Sequence, residues 1–321
     1  MKRKVKSLNL RILETEQPNI ASADFDCRSS LEIARIINSE DAKVAAAVRR
    51  SLPQIAQVID WIASALAKGG RLIYVGTGTS GRIAALDAAE CPPTFDTRPE
   101  MVQFVIAGGP KALAEASEAS EDSRRLGRLA IAKRKPRSND VVVGVAASGR
   151  TPFTIAAIEY ARSQGAKTVA VVCNHHSPLQ KAAHIGIVAE VGPEVVAGST
   201  RMKAGTAQKM ILNILTTGAM TRLGYVYGNL MVNLHLKNEK LAERGINILE
   251  EAAGLERAEA RRLLRSARNS VPAALVMAIA GVTRGRAIKA LKEARGHVRR
   301  AIGLAKPSSR GCAVEARSPI E

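Results

Sequence analysis

Residues 72–93 combine three local patterns that together restrict the fold more than any other segment of the chain. Residues 72–75 form a short apolar run with β-branched and aromatic side chains, which is typical of a buried strand. Residues 76–81 form a glycine-rich turn with three hydroxyl groups, and residues 82–89 have the spacing of a helix that the following Pro-Pro pair is expected to end. A strand, a tight turn and a helix in this order direct free backbone N–H groups toward an anion.

A second copy of this pattern begins near residue 143. The sequence VGTGTSGR at residues 75–82 is echoed by VGVAASGR at residues 143–150, and each copy follows an apolar strand and opens a helix. In a parallel sheet both turns lie at the carboxyl edge, where open α/β sheets bind their ligands. The hydroxyl groups of Ser148 and Thr151, just before a proline early in the helix, predict a phosphate-binding turn.

The first turn also matches the G-x-G-x-x-G fingerprint of dinucleotide-binding sites. That fingerprint needs an acidic residue near the end of the second strand to bind the ribose. The expected second strand, residues 102–106, runs into Ala107, Gly108 and Gly109 without an acid. The sequence therefore favours a phosphate site over a dinucleotide site, and a purely structural tight turn stays a third interpretation.

Apolar strands and helices alternate through the middle of the chain. Strands are expected at residues 72–76, 102–106, 140–146, 167–173 and 185–190. Helices are expected at residues 80–90, 110–119, 121–134, 151–164 and 201–223. Such alternation predicts an α/β fold, in which right-handed crossovers place helices on both faces of a parallel sheet.

Helical patterns flank this alternating region on both sides. The expected organisation is an N-terminal arm with helices at residues 1–50, an α/β domain at 51–250, a small all-helical module at 251–305 and a disordered tail at 306–321. Within the module, helices are expected at residues 257–268, 271–280, 284–293 and 297–303. A module of this size is expected to dock on a larger body.

The net charge of +19 is concentrated at the two ends of the chain. Residues 1–11 carry five basic residues and no acid, and residues 256–310 carry 14 basic and three acidic residues. Because aromatic side chains are not interleaved with these charges, the pattern favours solvated faces over a nucleic-acid surface. No apolar run approaches the ~18 residues of a membrane helix, and no apolar stretch of a secretory signal follows the basic start. We therefore expect a cytoplasmic protein without a membrane partner.

The cysteines and histidines do not form a metal-binding pattern. The four cysteines are far apart and form no C-x-x-C pair, so free thiols are expected. His175 and His176 are adjacent in an expected loop, and no third ligand is apparent. We therefore expect no metal site.

A third polar motif, GSTRMKAGT at residues 198–206, precedes a long helix with an apolar face. Ser199 or Thr200 is expected to cap that helix. The same two residues could equally offer a third set of donors to a ligand.

Together these motifs resemble the N-acetylmuramic acid 6-phosphate etherase family, whose members contain a sugar isomerase (SIS) domain. The resemblance extends over residues 15–302 and is carried by residues 78–82 with 90–94, 147–152, 198–206, 228–232 and 238–241. It implies a SIS-type five-stranded parallel sheet flanked by helices, and it makes residues 51–250 a phosphosugar-binding domain. It also implies a homodimer.

The resemblance further implies a reaction. Members of the family cleave the D-lactyl ether of N-acetylmuramic acid 6-phosphate by elimination and water addition, which gives N-acetylglucosamine 6-phosphate and D-lactate in cell-wall muropeptide recycling. They need no metal or organic cofactor. Carried onto this sequence, Glu90 is the proton donor and Glu121 the second active-site residue, and either Glu121 or Lys240 removes the C2 proton. The chain departs from the family pattern at Ala119-Ser120, close to Glu121, and at residues 174–176.

Two carboxyl groups with different pKa values suit this chemistry. The C2 proton is α to an aldehyde in the open-chain sugar, so a base can remove it, whereas the lactate oxygen needs a general acid to leave. Glu90 is expected at a helix C-terminus, where the negative end of the helix disfavours a carboxylate. Glu121 is expected at a helix start, where a carboxylate is favoured.

The substrate is expected to contact hydroxyl and glycine residues of the three motifs. Ser148 and Thr151 are expected to bind the 6-phosphate, while the first turn holds the sugar. The expected substrate-binding residues are Thr77, Thr79, Ser80, Gly81, Ser148, Gly149, Thr151, Ser199 and Thr200. Because Glu90 lies about ten residues beyond its own turn, roughly 15 Å along a helix, a partner subunit is expected to supply part of the site.

Two rival functions share these features. A phosphosugar aldose–ketose isomerase would use the same phosphate site and a C2 base, but it needs no acid at the C3 oxygen. A non-catalytic sugar-phosphate sensor would instead contact a protein or DNA through its basic C-terminal module. Release of lactate from N-acetylmuramic acid 6-phosphate distinguishes the etherase from both.

Overall fold

The structure is a computed structural model that describes residues 13–115, 120–234 and 239–306. Contacts between residues divide the chain into two compact units. One consists of Met1–Pro93 with Thr97–Arg222, and the other of Thr94–Asp96 with Leu223–Glu321. The domain limits expected at residues 50, 250 and 305 stay predictions, and the expected tail beyond residue 306 lies outside the described residues, as do the first twelve residues of the arm.

The first unit is built on a five-stranded parallel sheet, which confirms the predicted fold class. Its strands are β1 (Leu72–Gly76), β2 (Val102–Ile106), β3 (Val141–Val145), β4 (Lys167–Val172) and β5 (Ile185–Val188). They are ordered β2-β1-β3-β4-β5. The central strands β1 and β3 are buried along their whole length, as expected for a parallel sheet covered on both faces.

Eight helices surround this sheet among the described residues of the first unit. They are α1 (Ser30–Asp41), α2 (Val44–Arg49), α3 (Leu52–Ala67), α4 (Gly78–Phe95), α5 (Arg124–Ala132), α6 (Pro152–Ser163), α7 (Pro178–Ala182) and α8 (Lys203–Arg222). Successive strand residues point to opposite faces. Ile73 and Val142 share a core with Ile158 of α6, whereas the Tyr74 hydroxyl on the other face donates to Asp87 of α4.

Two expected helix limits were wrong. The Pro92-Pro93 pair lies inside α4, which continues to Phe95. A proline in a helix removes one hydrogen bond and crowds the carbonyl group four residues earlier, so it ends the helix soon afterwards, and α4 continues for only two residues beyond Pro93. In place of a helix at residues 110–119, the described part of that segment forms a short 3₁₀ helix at Pro110–Leu113.

The second unit contains a two-stranded antiparallel sheet and five helices among its described residues. The strands are β6 (Val226–Tyr227) and β7 (Leu230–Met231), and the helices are α9 (Glu239–Ala253), α10 (Arg257–Ser266), α11 (Val271–Ala280), α12 (Arg284–Glu293) and α13 (Val298–Ala305). The last four confirm the helices expected for the C-terminal module. Leu249, Leu264 and Val298 belong to one buried core in this unit.

Across the described ranges, no single helix is long and apolar enough to cross a bilayer. Only α11 and α12, a bent pair, reach the required length and composition when the two helices are taken together. The same ranges contain no group of three or more His, Cys, Asp or Glu residues that could hold a metal ion. The described cysteines Cys27, Cys91 and Cys173 are free thiols. Burial raises the pKa of Cys91 and of Cys173 to about 12, so these two thiols are unreactive.

Candidate active site

The two glycine-rich turns lie side by side at the carboxyl edge of the sheet. The strands β1 and β3 are neighbours, and the strand order reverses between them. Gly76 is in register with Val145, so both turns start at the same level of the sheet. Ligands of open parallel sheets bind in the crevice at such a reversal.

The first turn is tight because its glycines allow close approach. Gly78 opens α4 with a φ of 49°, in the left-handed region that favours glycine. The Gly81 amide donates to the Thr77 carbonyl oxygen at 3.0 Å, and a Cβ atom at Gly81 would lie 2.6 Å from Cγ1 of Ile106. Thr77 is buried, whereas Thr79 and Ser80 are half-buried in the first turn of α4. Two hydroxyl groups thus remain at the surface of this turn.

The second turn is shaped in the same way. Gly149 has a φ of 64°, and a Cβ atom there would lie 2.4 Å from Oγ of Ser177. Oγ of Ser148 accepts a hydrogen bond from the Arg150 amide at 3.2 Å, so its proton stays free to donate to a ligand. Thr151 precedes α6, and its side chain makes no capping hydrogen bond. Both hydroxyl groups are half-buried and can contact a phosphate at the start of α6.

Glu121 connects the two turns. Its Oε1 atom lies 3.3 Å from where a Cβ atom on Gly78 would be, which places the carboxyl group against the first turn. Its backbone carbonyl accepts a hydrogen bond from the Phe153 amide at 3.0 Å, in the first turn of α6. The expectation that Glu121 opens a helix was wrong, because α5 starts at Arg124 with Ser123 as its N-cap. The carboxyl group of Glu121 therefore lies against Gly78 and not at the start of a helix.

The third motif adjoins the first turn but offers fewer backbone donors than expected. A Cβ atom on Gly205 would lie 3.6 Å from Cγ2 of Thr79. Neither Ser199 nor Thr200 caps α8, so that prediction was wrong. The carboxylate of Glu194 accepts from the amides of Lys203 and Ala204 at 3.0 and 2.9 Å.

The amides of Ser199 and Thr200 bond to carbonyl groups within their own turn. The motif can therefore offer a ligand the hydroxyl groups of these two half-buried residues.

A buried ion pair fixes the start of α8. Nζ of Lys203 lies 2.5 Å from Oε2 of Glu40, and both side chains are almost completely buried. Burial alone would raise the pKa of Glu40, but hydrogen bonds from Lys203, Lys43 and Asn19 lower it to about 2. Glu194 differs, because burial raises its pKa above the usual value.

The described part of the N-terminal arm packs on this edge of its own sheet. Asn174, after β4, accepts a hydrogen bond from the Glu14 amide at 3.1 Å and donates to the Ala147 carbonyl oxygen at 3.1 Å. The Gly198 amide donates to the Thr15 carbonyl oxygen at 3.1 Å. The arm therefore links the second turn to the third motif through buried Asn174 and Thr15.

Glu90 and Lys240 do not join this cluster within the described first unit. Glu90 is exposed on α4, twelve residues beyond Gly78, or roughly 18 Å along a helix axis. It is not at the helix C-terminus as expected, because α4 continues for five more residues. Lys240 is exposed in the first turn of α9 and belongs to the second unit.

Comparison with known proteins identifies the family. Residues 54–162 match the glucokinase regulatory protein N-terminal SIS domain, and residues 133–218 match the SIS domain. The chain is 48% identical to N-acetylmuramic acid 6-phosphate etherase of Photorhabdus laumondii, over 93% of this chain and 99% of that protein. It is 49% identical to the protein of the same name from Aeromonas hydrophila, over 91% of this chain and 98% of that protein. The chain belongs to the N-acetylmuramic acid 6-phosphate etherase family.

Among solved structures, the etherase-family chain is similar to a phosphoheptose isomerase from Francisella tularensis. The two share 20% sequence identity and a TM-score of 0.46, and the match covers 60% of this chain and all of the other.

Sequence reasoning missed several buried polar residues that organise the etherase-family fold around the site. Asp87 is buried in α4 and accepts hydrogen bonds from Tyr74, Asn213 and Thr216. Burial raises its pKa, although these hydrogen bonds act in the opposite direction. The available signal was an acid on the apolar face of a helix, beside the buried Ala84 and Cys91. Glu194 and Asn174 gave no comparable signal, because their partners are distant in sequence.

Proposed function

We propose that this chain is a carbon–oxygen lyase that cleaves the D-lactyl ether of N-acetylmuramic acid 6-phosphate. Its products would be N-acetylglucosamine 6-phosphate and D-lactate. Relatives named N-acetylmuramic acid 6-phosphate etherase match nearly the whole chain at about 48% identity. The observation that carries the proposal is the Glu121 carboxyl group, which lies against Gly78 between two turns rich in hydroxyl groups.

The 6-phosphate binds at the second turn in this proposal. The hydroxyl groups of Ser148 and Thr151, at the start of α6, donate to phosphate oxygens together with backbone amides. Gly149 keeps the turn narrow enough for this approach, since any side chain there would meet Ser177. The sugar then lies over the first turn, within reach of Thr79 and Ser80, with Ser199 and Thr200 on its third side. The buried Thr77 and the closely packed Gly81 determine the shape of that turn.

The reaction needs a base at C2 and an acid at the C3 oxygen. A base removes the C2 proton of the open-chain aldehyde, the C3–O bond breaks, and the acid protonates the departing lactate oxygen. Water then adds at C3 of the unsaturated aldehyde: the deprotonated acid takes the proton of the water, and the base returns its proton to C2. Glu121 is the best-supported base, because its carboxyl group already adjoins the sugar-binding turn. Lys240 is the alternative base, and Glu90 is the acid.

The proposal includes a homodimer in which Glu90 acts in the partner's site. The exposure of Glu90 and its distance of roughly 18 Å along α4 from its own turn support this arrangement. The proposed reaction takes place in the cytoplasm, where free thiols such as Cys27 persist. It serves the recycling of cell-wall muropeptides.

Incubation with N-acetylmuramic acid 6-phosphate tests the proposal. We expect equal amounts of lactate and N-acetylglucosamine 6-phosphate, and loss of both products in the Glu121→Gln variant. An isomerase would leave the lactyl ether intact and release no lactate, and a sensor would bind the sugar phosphate without turnover. Either of these results contradicts the proposed function.

A further inference from the structure

A second group of cationic side chains lies at the amino edge of the sheet. The connection from α5 to β3, residues 133–140, contains four basic residues and one acid, Asp140. It adjoins Arg71 at the start of β1, because the Val141 amide donates to the Arg71 carbonyl oxygen at 2.8 Å. The five-residue strands β1 and β3 separate this edge from the glycine-rich turns by roughly 16 Å.

Arg71 and Asp140 form the scaffold of this region. Asp140 is fully buried, and its Oδ2 atom lies 2.6 Å from Nη2 of Arg71. The Arg71 guanidinium also donates to the carbonyl oxygens of Arg134 and Lys135 at 3.0 and 2.9 Å. The only acid in the connection is therefore already compensated by Arg71, which also holds the backbone of residues 134 and 135.

The backbone of this connection is strained where the charges are densest. Lys135 has a φ of 48°, in the left-handed region that is costly for a residue with a side chain. Two hydrogen bonds hold Lys135 in this conformation: Arg71 donates to the Lys135 carbonyl oxygen, and the Lys135 amide donates to the Ala132 carbonyl oxygen. Such strain persists only where neighbouring contacts impose it, so the turn is rigid before any ligand arrives.

The connection borders a cavity of about 700 Å³. Lys133, Arg134, Lys135 and Arg137 line it on one side, and all four are exposed. In the described part of the chain, no acidic side chain forms an ion pair with Lys133, Lys135 or Arg137. The remaining lining residues include Arg71, Gln103, Tyr160 and Gln164. This volume is typical of pockets for small molecules.

We propose that this cavity binds a small molecule that carries two or more linked phosphate groups. Four exposed cations that form no ion pair among the described residues create a positive potential, which favours a ligand with several linked negative charges over one with a single phosphate group. Arginine side chains bind phosphate oxygens in pairs, whereas lysines act as mobile point charges on the same groups. The two glutamines supply neutral donors for the rest of the ligand. A concave pocket of this size favours a small molecule over a nucleic-acid duplex.

Calorimetric titration of the full chain with inorganic pyrophosphate tests this site. We expect saturable binding of one pyrophosphate per chain at the amino edge. A Lys133→Gln, Lys135→Gln double variant should raise Kd on the order of tenfold or more, because two charge-assisted contacts are lost. A Lys68→Gln, Lys181→Gln double variant removes the same charge from two exposed lysines that do not line the cavity, and its Kd should stay within about twofold of the parent.

The Ser148→Ala variant separates this site from the phosphate-binding turn. Pyrophosphate binding at the amino edge should be unchanged in that variant and should persist when N-acetylglucosamine 6-phosphate is in excess. The proposal is wrong if the parent does not bind pyrophosphate, if both lysine double variants weaken binding equally, or if Ser148→Ala abolishes it. Binding of duplex DNA in place of pyrophosphate would also overturn it.

Discussion

At the scale of single residues, Ser148 gives the most direct test of the phosphate site. Replacing it with alanine removes one donor to a dianionic phosphate, so KM for N-acetylmuramic acid 6-phosphate should rise roughly tenfold to a hundredfold. Steady-state lactate release measures this change. Ser138→Ala, an exposed serine before β3, is the matched control and should leave KM unchanged. If the parent enzyme uses the unphosphorylated sugar equally well, the assignment of Ser148 fails.

A second question about single residues is which of Glu90, Glu121 and Lys240 is the acid and which is the base. Exchange of the C2 proton with solvent deuterium requires only the base, whereas ether cleavage requires the acid as well. We expect Glu90→Gln to block lactate release while exchange remains detectable by NMR. The variant that abolishes exchange, Glu121→Gln or Lys240→Met, identifies the base. Loss of exchange in Glu90→Gln, with exchange kept in both other variants, would show that Glu90 performs both steps.

Glu40 determines how the stability of the first unit depends on pH. Its pKa is lowered from 4.5 to about 2, so its contribution to stability is complete above pH 4.5 and is lost as pH falls through 2. Replacing it with glutamine leaves Lys203 buried without its partner and should cost about 3–5 kcal/mol at neutral pH.

The difference in unfolding free energy between the parent and Glu40→Gln should therefore shrink from pH 4.5 to pH 2. Urea unfolding at several pH values measures it. Asp87 and Glu194 have raised pKa values and act with the opposite sign, but they are present in both proteins and cancel in the difference. Glu159→Gln, which removes a surface ion pair with Arg124, should cost less than about 1 kcal/mol. A difference that does not vary with pH would refute this role of Glu40.

At the scale of structural elements, Asn174 holds the N-terminal arm on the sheet. Asn174→Leu would leave the Glu14 amide without its partner and would remove one of the two hydrogen bonds to the Ala147 carbonyl oxygen, which should cost about 1–3 kcal/mol. The arm should also become sensitive to limited proteolysis under native conditions. His175→Leu is the neighbouring control, since His175 is exposed and its contacts with Glu190 and His176 lie at the surface. Equal stability of the two variants would contradict this role.

The strands and helices also show which features of the fold could be predicted from the sequence and which could not. All five strands were predictable, because each is an apolar run bounded by polar or glycine residues, and the adjacency of the two turns followed from a parallel sheet. The cap of α8 was not predictable, since Glu194 lies nine residues before Lys203 and capping patterns are local. The contact between Glu121 and Gly78 was hidden by a misleading pattern, because a helix was expected to start at residue 121 and α5 starts only at Arg124. The course of α4 through Pro92 and Pro93 depends on their position in the last helical turn.

At the scale of the whole molecule, the proposed homodimer makes a quantitative prediction. Glu90→Gln and Ser148→Ala variants, mixed and reassembled, would form heterodimers in which one of the two sites has both native residues. In a symmetric dimer with random exchange, half of the dimers are heterodimers with one complete site, so about a quarter of the parent activity should return at a substrate concentration too low for the Ser148→Ala variant to turn over. Activity assays after mixing, with size-exclusion chromatography, measure it. Absence of any recovery in verified heterodimers would place Glu90 in its own subunit's site.

The contacts of the N-terminal arm have a consequence for the order in which the protein is made. Asn19 bonds to Pro193, and Ser22 to Val195, across 174 and 173 positions of sequence. On the ribosome the arm emerges before its binding surface, which is synthesised roughly 10–30 s later at ordinary elongation rates. The arm therefore waits without its partners until the strand β5 and the start of α8 have appeared. Docking of the arm then becomes a late folding step, and completion of the candidate active site depends on it.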